Sequence, residues 1–324
     1  MLTFPDFKQK QVIAIFGHDG HRIKIKNDNL LVMNQDQEIV SQITCYKILA
    51  IWIIGPSSIT SGIFEKSKRF GFSIFFLSTR FKPLGCWGSI TEGNTLLRVK
   101  QYTYDGLDIA RLLISNKIQN QLFLLKSIRK KSARLKTSIN SINEQLKMIN
   151  KKNSIQELMG LEGFCAKIYF KEWFCEMEWK GRRPRTKVDP LNVLMDMGYT
   201  YLFNYIEALV LFYGFDIYKG VYHQFFYQRK SLICDLVEPF RCIIDHQLKN
   251  AFNLGQIKLS DFQFNNNQYF LSYKNAKTYT EWLMKSILAN KDDIFLYIQQ
   301  YYRQFIKETN PWDGPFFEFK LRKK

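Results

Sequence analysis

The sequence predicts an α+β protein, a small β-rich N-terminal domain followed by a larger all-α domain. Three observations carry this. The first ninety or so residues hold short apolar or alternating runs broken by turn residues, a glycine-punctuated stretch follows, and apolar residues thereafter recur every three or four positions. The boundaries are set at 1–88, a linker at 89–95, and 96–324.

In the first segment, Gln11 to Phe16 is short, apolar and β-branched. His21-Arg22-Ile23-Lys24-Ile25-Lys26 alternates, Asn27-Asp28-Asn29 supplies turn residues, and Leu30-Leu31-Val32-Met33 follows, which together predict a hairpin. Lys47 to Ile54 and Ser73 to Leu77 predict two more strands. Between them Ser57 or Ser58 caps a short amphipathic helix ending near Arg69, with Gly71 as its stop. Gly85-Cys86-Trp87-Gly88-Ser89, on to Gly93, reads as linker. Beyond it the spacing of Ile109, Leu112 and Leu113, then Leu122, Leu125 and Ile128, predicts helices at about 96–115, 117–150, 155–178, 190–213, 231–253 and 276–308. Asn265-Asn266-Asn267 reads as a loop.

Composition narrows the function. Lysine and arginine number 47 against 29 acidic residues, a net charge of +18, which predicts a polyanionic partner. A bilayer span takes about 20 apolar positions in a row. The longest apolar run, Ile48 to Ile54, falls far short of that, and the N-terminus has no secretory pattern. Six scattered cysteines without a CxxC pair predict reduced thiols in a cytoplasmic protein. Nine basic residues and one acid, Glu144, lie between Lys126 and Lys152. The Lys180–Lys187 loop adds five positive charges, Arg182, Arg183 and Arg185 among them, around Gly181 and Pro184. Such a loop favours contact with a phosphate backbone over a merely solvated face.

Three acids and one histidine are the candidates for chemistry. Asp235 and Glu238 stand at i and i+3, so on a helix both carboxylates project from one face, and His223 lies shortly before them. Such a set suits Mg²⁺ or Mn²⁺. The same Asp-x-x-Glu spacing equally describes a capping box with Pro239 early in the helix, and spacing alone leaves both open. Glu162 sits between Gly160 and Gly163, where a ligand's backbone has room to approach. Ser154 and Glu157 form a separate capping box that opens the same helix. His18, His21 and His246 read as structural.

Four motifs occur in order: Gly160-Leu161-Glu162-Gly163-Phe164-Cys165-Ala166-Lys167-Ile168-Tyr169-Phe170, Asp189-Pro190-Leu191-Asn192-Val193-Leu194, Gly220-Val221-Tyr222-His223, and Ser231-Leu232-Ile233-Cys234-Asp235-Leu236-Val237-Glu238-Pro239-Phe240-Arg241. Together they resemble the CRISPR-associated adaptation endonuclease and integrase family, over nearly the whole chain. The resemblance implies a helical catalytic domain after the β-rich one. It implies a divalent cation, Mg²⁺ or Mn²⁺, held by Glu162, His223 and Glu238, with Asp235 as a further acid of the site. It implies DNA contact from Arg182, Arg183, Arg185, Arg229 and Lys230. It further implies a prokaryotic cytoplasmic homodimer, paired through its β-rich domain, that works with a small companion adaptation protein. The substrate would be double-stranded DNA, spacer precursor and CRISPR repeat, joined through a 3′-hydroxyl by transesterification. Phe225, Phe226 and Tyr227 depart from the smaller or more polar residues often found there. The rival reading is a basic DNA-binding scaffold without catalysis, its acids serving as caps.

Overall fold

The computed structural model describes residues 3–17, 20–88, 94–177, 179, 181–183, 186–224, 226–307 and 313–321. His18, most of the expected linker, Lys180, Pro184, Arg185, Phe225 and the last three basic residues lie outside the described residues. The chain forms two compact units: Met1–Arg98 with Phe203–Phe215, and Val99–Leu202 with Asp216–Lys324.

The first unit is built on two four-stranded sheets. After helix α1 (Phe4–Lys8), strands β1 (Gln11–Phe16), β5 (Ile48–Ile54) and β7 (Ser73–Leu77) run parallel, and β8 (Pro83–Trp87) pairs antiparallel on β7. Every residue of β5 is buried, which is why a central parallel strand reads as an unbroken apolar run. The second sheet takes the order β4 (Ile39–Thr44), β3 (Asn29–Met33), β2 (Arg22–Lys26), β6 (Ser58–Ile59). Asn27 and Asp28 turn β2 into β3, both with positive φ, and two left-handed residues match the twist of a two-residue hairpin. Ile15, Ile23, Leu30, Val32, Ile51, Ile53 and Ile74 from both sheets share one core with Ile63 of α2 (Gly62–Phe70).

Several expectations shift here. Helix α2 begins at Gly62, not after Ser57 or Ser58, because Ser58 and Ile59 pair with β2 as a strand. Gly71 does end it, in the left-handed conformation. Part of the stretch read as linker is strand β8, since Cys86 and Trp87 sit opposite Phe75 and Ile74.

The second unit is mostly helical: α4 (Asp108–Ser127), α5 (Ala133–Lys147), α6 (Ile155–Trp173), α8 (Ser231–Val237), α9 (Arg241–Asn253), α10 (Tyr273–Ala289) and α11 (Lys291–Lys307). Helix α3 (Thr95–Thr103) begins in the first unit, and α7 (Pro190–Leu211) begins in the second and ends in the first. The span expected as one helix at 117–150 is the end of α4, a break, and α5, where Ser132 caps by accepting from the Leu135 N–H. The span at 231–253 breaks at Glu238-Pro239-Phe240, a 3₁₀ turn, because Pro239 has no N–H to continue the ladder. The Asn-rich loop is a hairpin turn: Asn266 and Asn267, both with positive φ, join β9 (Phe262–Asn265) to β10 (Gln268–Leu271). Among the described residues, no helix is long and apolar enough to cross a membrane.

Helix α4 is the central element of this unit and packs against α5, α6, α9 and the Glu238–Phe240 turn. It also secures the C-terminal segment. Asn116 and Asn120, one turn apart, accept from the Phe317 and Phe319 N–H groups and donate to the Phe317 carbonyl. Asn120 donates in addition to the Pro239 carbonyl at 3.0 Å, tying α4 to the turn that carries Glu238.

Candidate active site

The candidate residues come from four segments of the second unit. Glu162 lies midway along α6, whose start is fixed by Ser154 accepting from the Glu157 N–H at 3.2 Å. A Cβ placed at Gly160 or Gly163 would meet open space, so these glycines are not there for helix packing. They leave the surface around Glu162 bare.

His223 ends a loop wrapped around the fully buried Asp235 of α8. One carboxylate oxygen accepts from the Val221 and Tyr222 N–H groups at 2.6 and 3.0 Å. The other takes the His223 N–H at 2.8 Å and its ring Nδ1 at 2.7 Å. Gly220 permits the wrap, since a Cβ there would come within 2.6 Å of the Asp235 carboxylate. With Nδ1–H donated to a carboxylate, Nε2 carries the free lone pair. The buried Tyr222 ring stands edge-on to the imidazole at 5.1 Å and fixes its plane.

Glu238 turns elsewhere. Its Oε1 takes Arg241 Nη2 at 2.9 Å, and its Oε2 lies 2.6 Å from Lys117 Nζ of α4. The same ammonium reaches Glu162 Oε1 at 2.5 Å. Burial alone would raise the Glu238 carboxyl, but the Arg241 and Lys117 charges outweigh it and hold it down to about 2. Burial likewise opposes the charge on Lys117, and Glu238 with Glu162 more than restores it. The buried Glu238 Oε2 is thus held by the Lys117 ammonium. Neither the Asp235 nor the Glu238 side chain caps the start of a helix, which disposes of the capping-box alternative.

A second buried acid braces this group. Asp245 of α9 accepts from the Tyr199 hydroxyl at 2.5 Å and the Tyr169 hydroxyl at 2.9 Å. Burial pushes its carboxyl up to about 6, against those hydrogen bonds and the charges of Arg241 and Arg182. The Tyr199 ring lies under both guanidiniums. Arg241 stands 4.9 Å from its centroid. Arg182 stands 5.5 Å from it.

These groups border a cavity of about 1180 Å³ whose walls carry Glu162, His223, Glu238, Lys117, Arg182, Arg229 and Arg241, with Lys167 and Lys171 from α6. Phe170, Phe174 and Trp179 add an apolar side. Arg182 is clamped within the chain, donating to Asp196 at 2.8 Å and to Asn192 Oδ1 at 3.3 Å. Arg183 is exposed, its backbone N–H bonded to Asn192. Arg229 stacks on Phe226 and bonds Ser231 and the Gln224 carbonyl; Lys230 beside it is half-buried. Phe226 and Tyr227 are exposed. The cysteines are free thiols. Burial, with Glu162 and Asp235 adding to it, raises Cys165 to about 12 and Cys234 to about 11, so neither is a nucleophile at neutral pH.

The structure thus gathers Glu162, His223 and Glu238 around one cavity and puts Asp235 behind the histidine. Lys117, Arg241 and Asp245 are additions that reading the motifs did not supply. No local signal marks Lys117; only the fold shows that Asn116, Lys117, Asn120 and Gln121 form a buried polar stripe on α4. Among the described residues, no three His, Cys, Asp or Glu side chains converge as a ready metal cluster.

Two carboxylates paired with cations, an imidazole oriented through Nδ1, and lysines and arginines border one cavity in the helical part of a β-rich and helical chain. The family model described as CRISPR associated protein Cas1 matches residues 15–284, and the chain belongs to that family. It is 33% identical to "CRISPR-associated endonuclease Cas1 1" of Thermodesulfovibrio yellowstonii, over 65% of this chain and 70% of the relative. It is 27% identical to "CRISPR-associated endonuclease Cas1 1" of Francisella tularensis subsp. novicida, over 86% and 84%. In fold it matches a CAS1 protein from Thermotoga maritima, with TM-score 0.79, 18% identity, and 96% of this chain and 100% of that one covered. A casposase bound to integration product matches with TM-score 0.79 at 19% identity, over 97% and 96%. A chain of a Cas6-RT-Cas1–Cas2 complex matches with TM-score 0.81 and 21% identity over 94% of this chain, which spans only 36% of that longer one.

Proposed function

We propose that this chain is a divalent-metal-dependent DNA endonuclease and integrase of CRISPR adaptation, which joins the 3′-hydroxyl ends of spacer DNA to repeat borders. The observation that carries the reading is His223 held through Nδ1 by Asp235 beside the Glu162 and Glu238 carboxylates, in a chain of the Cas1 family.

The residues fit a hard divalent cation. Two carboxylates and an imidazole nitrogen are donor types that Mg²⁺ or Mn²⁺ takes, and all three side chains border one cavity. Glu162, His223 through Nε2, and Glu238 would hold it; bound there, it would polarise a phosphodiester and neutralise charge on the leaving oxygen. The chain's own groups do the rest. Asp235 fixes the ring and tautomer of His223. Arg241 holds Glu238 in place through the oxygen that Lys117 does not use. Lys167, Lys171 and Arg229 receive phosphates, so binding depends on salt and little on sequence. With a DNA 3′-hydroxyl as attacker the same site transfers strands, and with water it cleaves.

Double-stranded DNA, a second copy of the chain and a companion protein are the partners we assign. Complexes of fold relatives with Cas2 and with an integration product support the companion and the DNA. Strand β4, at the edge of its sheet with Ile39 and Val40 exposed, suits pairing through the β-rich unit. The scaffold alternative loses its basis, since Asp235 and Glu238 do not cap helix starts.

The test is cleavage of labelled duplex DNA in Mg²⁺, Mn²⁺ or EDTA by wild type, Glu162→Ala and His223→Ala. Turnover in metal that EDTA and both substitutions abolish is the expected result. Cleavage that persists in EDTA or in both variants rejects the assignment.

A further inference from the structure

The Lys117 ammonium stands between Glu162 and Glu238, at 2.5 and 2.6 Å from an oxygen of each. The oxygens that would bind a metal already bind a cation. Metal–oxygen distances for Mg²⁺ are about 2.0–2.1 Å, so an ion bridging these two oxygens would stand where the ammonium stands. The charge count agrees. Glu162, Glu238 and Asp235 carry three negative charges against the two positive charges of Lys117 and Arg241, so a divalent ion added without departure of a cation would turn the site net positive, whereas departure of Lys117 would leave it neutral.

The two resident cations differ in how they are held. Arg241 lies over the Tyr199 ring as well as on Glu238 Oε1. The Lys117 ammonium has Glu162 and Glu238 as its only ion-pair partners among the described residues, no ring holds it from a second side, and its side chain borders the cavity. A four-carbon stem lets an ammonium swing into that cavity, whereas a stacked guanidinium is fixed on two sides.

We propose that Lys117 is an exchangeable internal cation that occupies the metal position in the DNA-free chain and must swing out before a divalent ion binds. This rests on the reading that Glu162, His223 and Glu238 hold the metal. Lys117 is then a positioning residue. It screens the buried Glu238 and the half-buried Glu162 from one another's charge in the absence of metal, and it lowers metal affinity until a phosphate in the cavity offers the ammonium another partner.

Mn²⁺ titration of the full-length, DNA-free protein by calorimetry tests this, with thermal melting alongside. Lys117→Met should bind Mn²⁺ about tenfold or more tightly than wild type, because a competing unit charge is gone. It should melt lower than wild type in EDTA and recover on adding Mn²⁺, as mass action requires. Lys117→Arg keeps a cation and should show no gain. Adding Glu162→Gln to Lys117→Met should erase the gain. If the Met variant does not fold, Lys117→Gln removes the charge while keeping a donor, and the same gain is expected. Mn²⁺ binding that Glu162→Gln weakens but Lys117→Met leaves unchanged or weakens overturns the role of Lys117 and leaves the metal assignment standing. Absence of Mn²⁺ binding in every variant, or binding indifferent to Glu162, overturns both.

Discussion

Asp235 holds His223 twice through one carboxylate oxygen, the ring Nδ1 at 2.7 Å and the backbone N–H at 2.8 Å. Its other oxygen takes two further N–H groups of the same loop. Asp235 is therefore an organiser of the histidine loop, with both oxygens committed to it. Asp235→Asn keeps the volume but presents an N–H₂ to donors, freeing the ring to change tautomer. Metal affinity and cleavage should both fall about 10–100-fold while duplex DNA binding holds. Equal losses in DNA binding and cleavage would point to general unfolding of the loop.

Two buried acids pull acid stability in opposite directions. Glu238 is held at about 2, below its ordinary 4.5, so its contribution is full above 4.5 and is lost as pH falls toward 2. Asp245 is raised from 3.8 to about 6, so the folded chain keeps its proton longer than the unfolded one. Its contribution is full below 3.8 and is lost as pH rises through 6. Urea unfolding of wild type and Asp245→Asn should therefore shift in favour of the variant by up to about 3 kcal/mol between about pH 4 and about pH 6.5. A difference that does not change with pH would mean Asp245 titrates alike in both states.

Asn120 carries three hydrogen bonds that cross the chain, to the Pro239 and Phe317 carbonyls and from the Phe319 N–H. Asn120→Leu strands the Phe319 N–H and takes one donor each from the Pro239 and Phe317 carbonyls, the latter keeping Asn116, and the urea midpoint should fall by the equivalent of about 2–3 kcal/mol. Since the Pro239 tether goes with them, Glu238 loses support and cleavage should drop further than in a surface control.

The arginine loop divides by contact. Arg182 is bound to Asp196 and lies over Tyr199, so Arg182→Ala should lower stability together with DNA binding. Arg183 is exposed. Arg183→Ala should leave the melting temperature unchanged and reduce the slope of log affinity against log salt by about 1. An unchanged slope removes Arg183 from the DNA-contacting set.

Much of this architecture was legible from the chain alone. Strand β5 announces itself as seven buried apolar residues, and the Asn27–Asp28 turn as residues that tolerate left-handed φ. Strands β4 and β8 were not legible, because the first is largely exposed and the second carries Pro83 and Gly85. Glu162, His223, Asp235 and Glu238 were singled out through ordered motifs. Their division of labour was not, since the helix break at Pro239 sends Glu238 to Lys117 and Arg241 while Asp235 turns back to the histidine loop. Lys117 was hidden for a related reason. Its partner Glu162 lies 45 residues further on, and nothing local distinguishes a lysine that neutralises buried acids from one at the surface.

The central claim is strand transfer by the Glu162, His223 and Glu238 site, and joining is read most directly with two DNA ends. Labelled spacer duplexes ending in a 3′-hydroxyl or a 3′-dideoxy nucleotide would be incubated with a repeat-containing plasmid, the companion protein and Mn²⁺ or EDTA. The account predicts covalent joining only with the 3′-hydroxyl end and metal, abolished by His223→Ala, while cleavage of the plasmid by water persists with the dideoxy end. Joining that proceeds in EDTA, or that survives His223→Ala and Glu162→Ala, would contradict it.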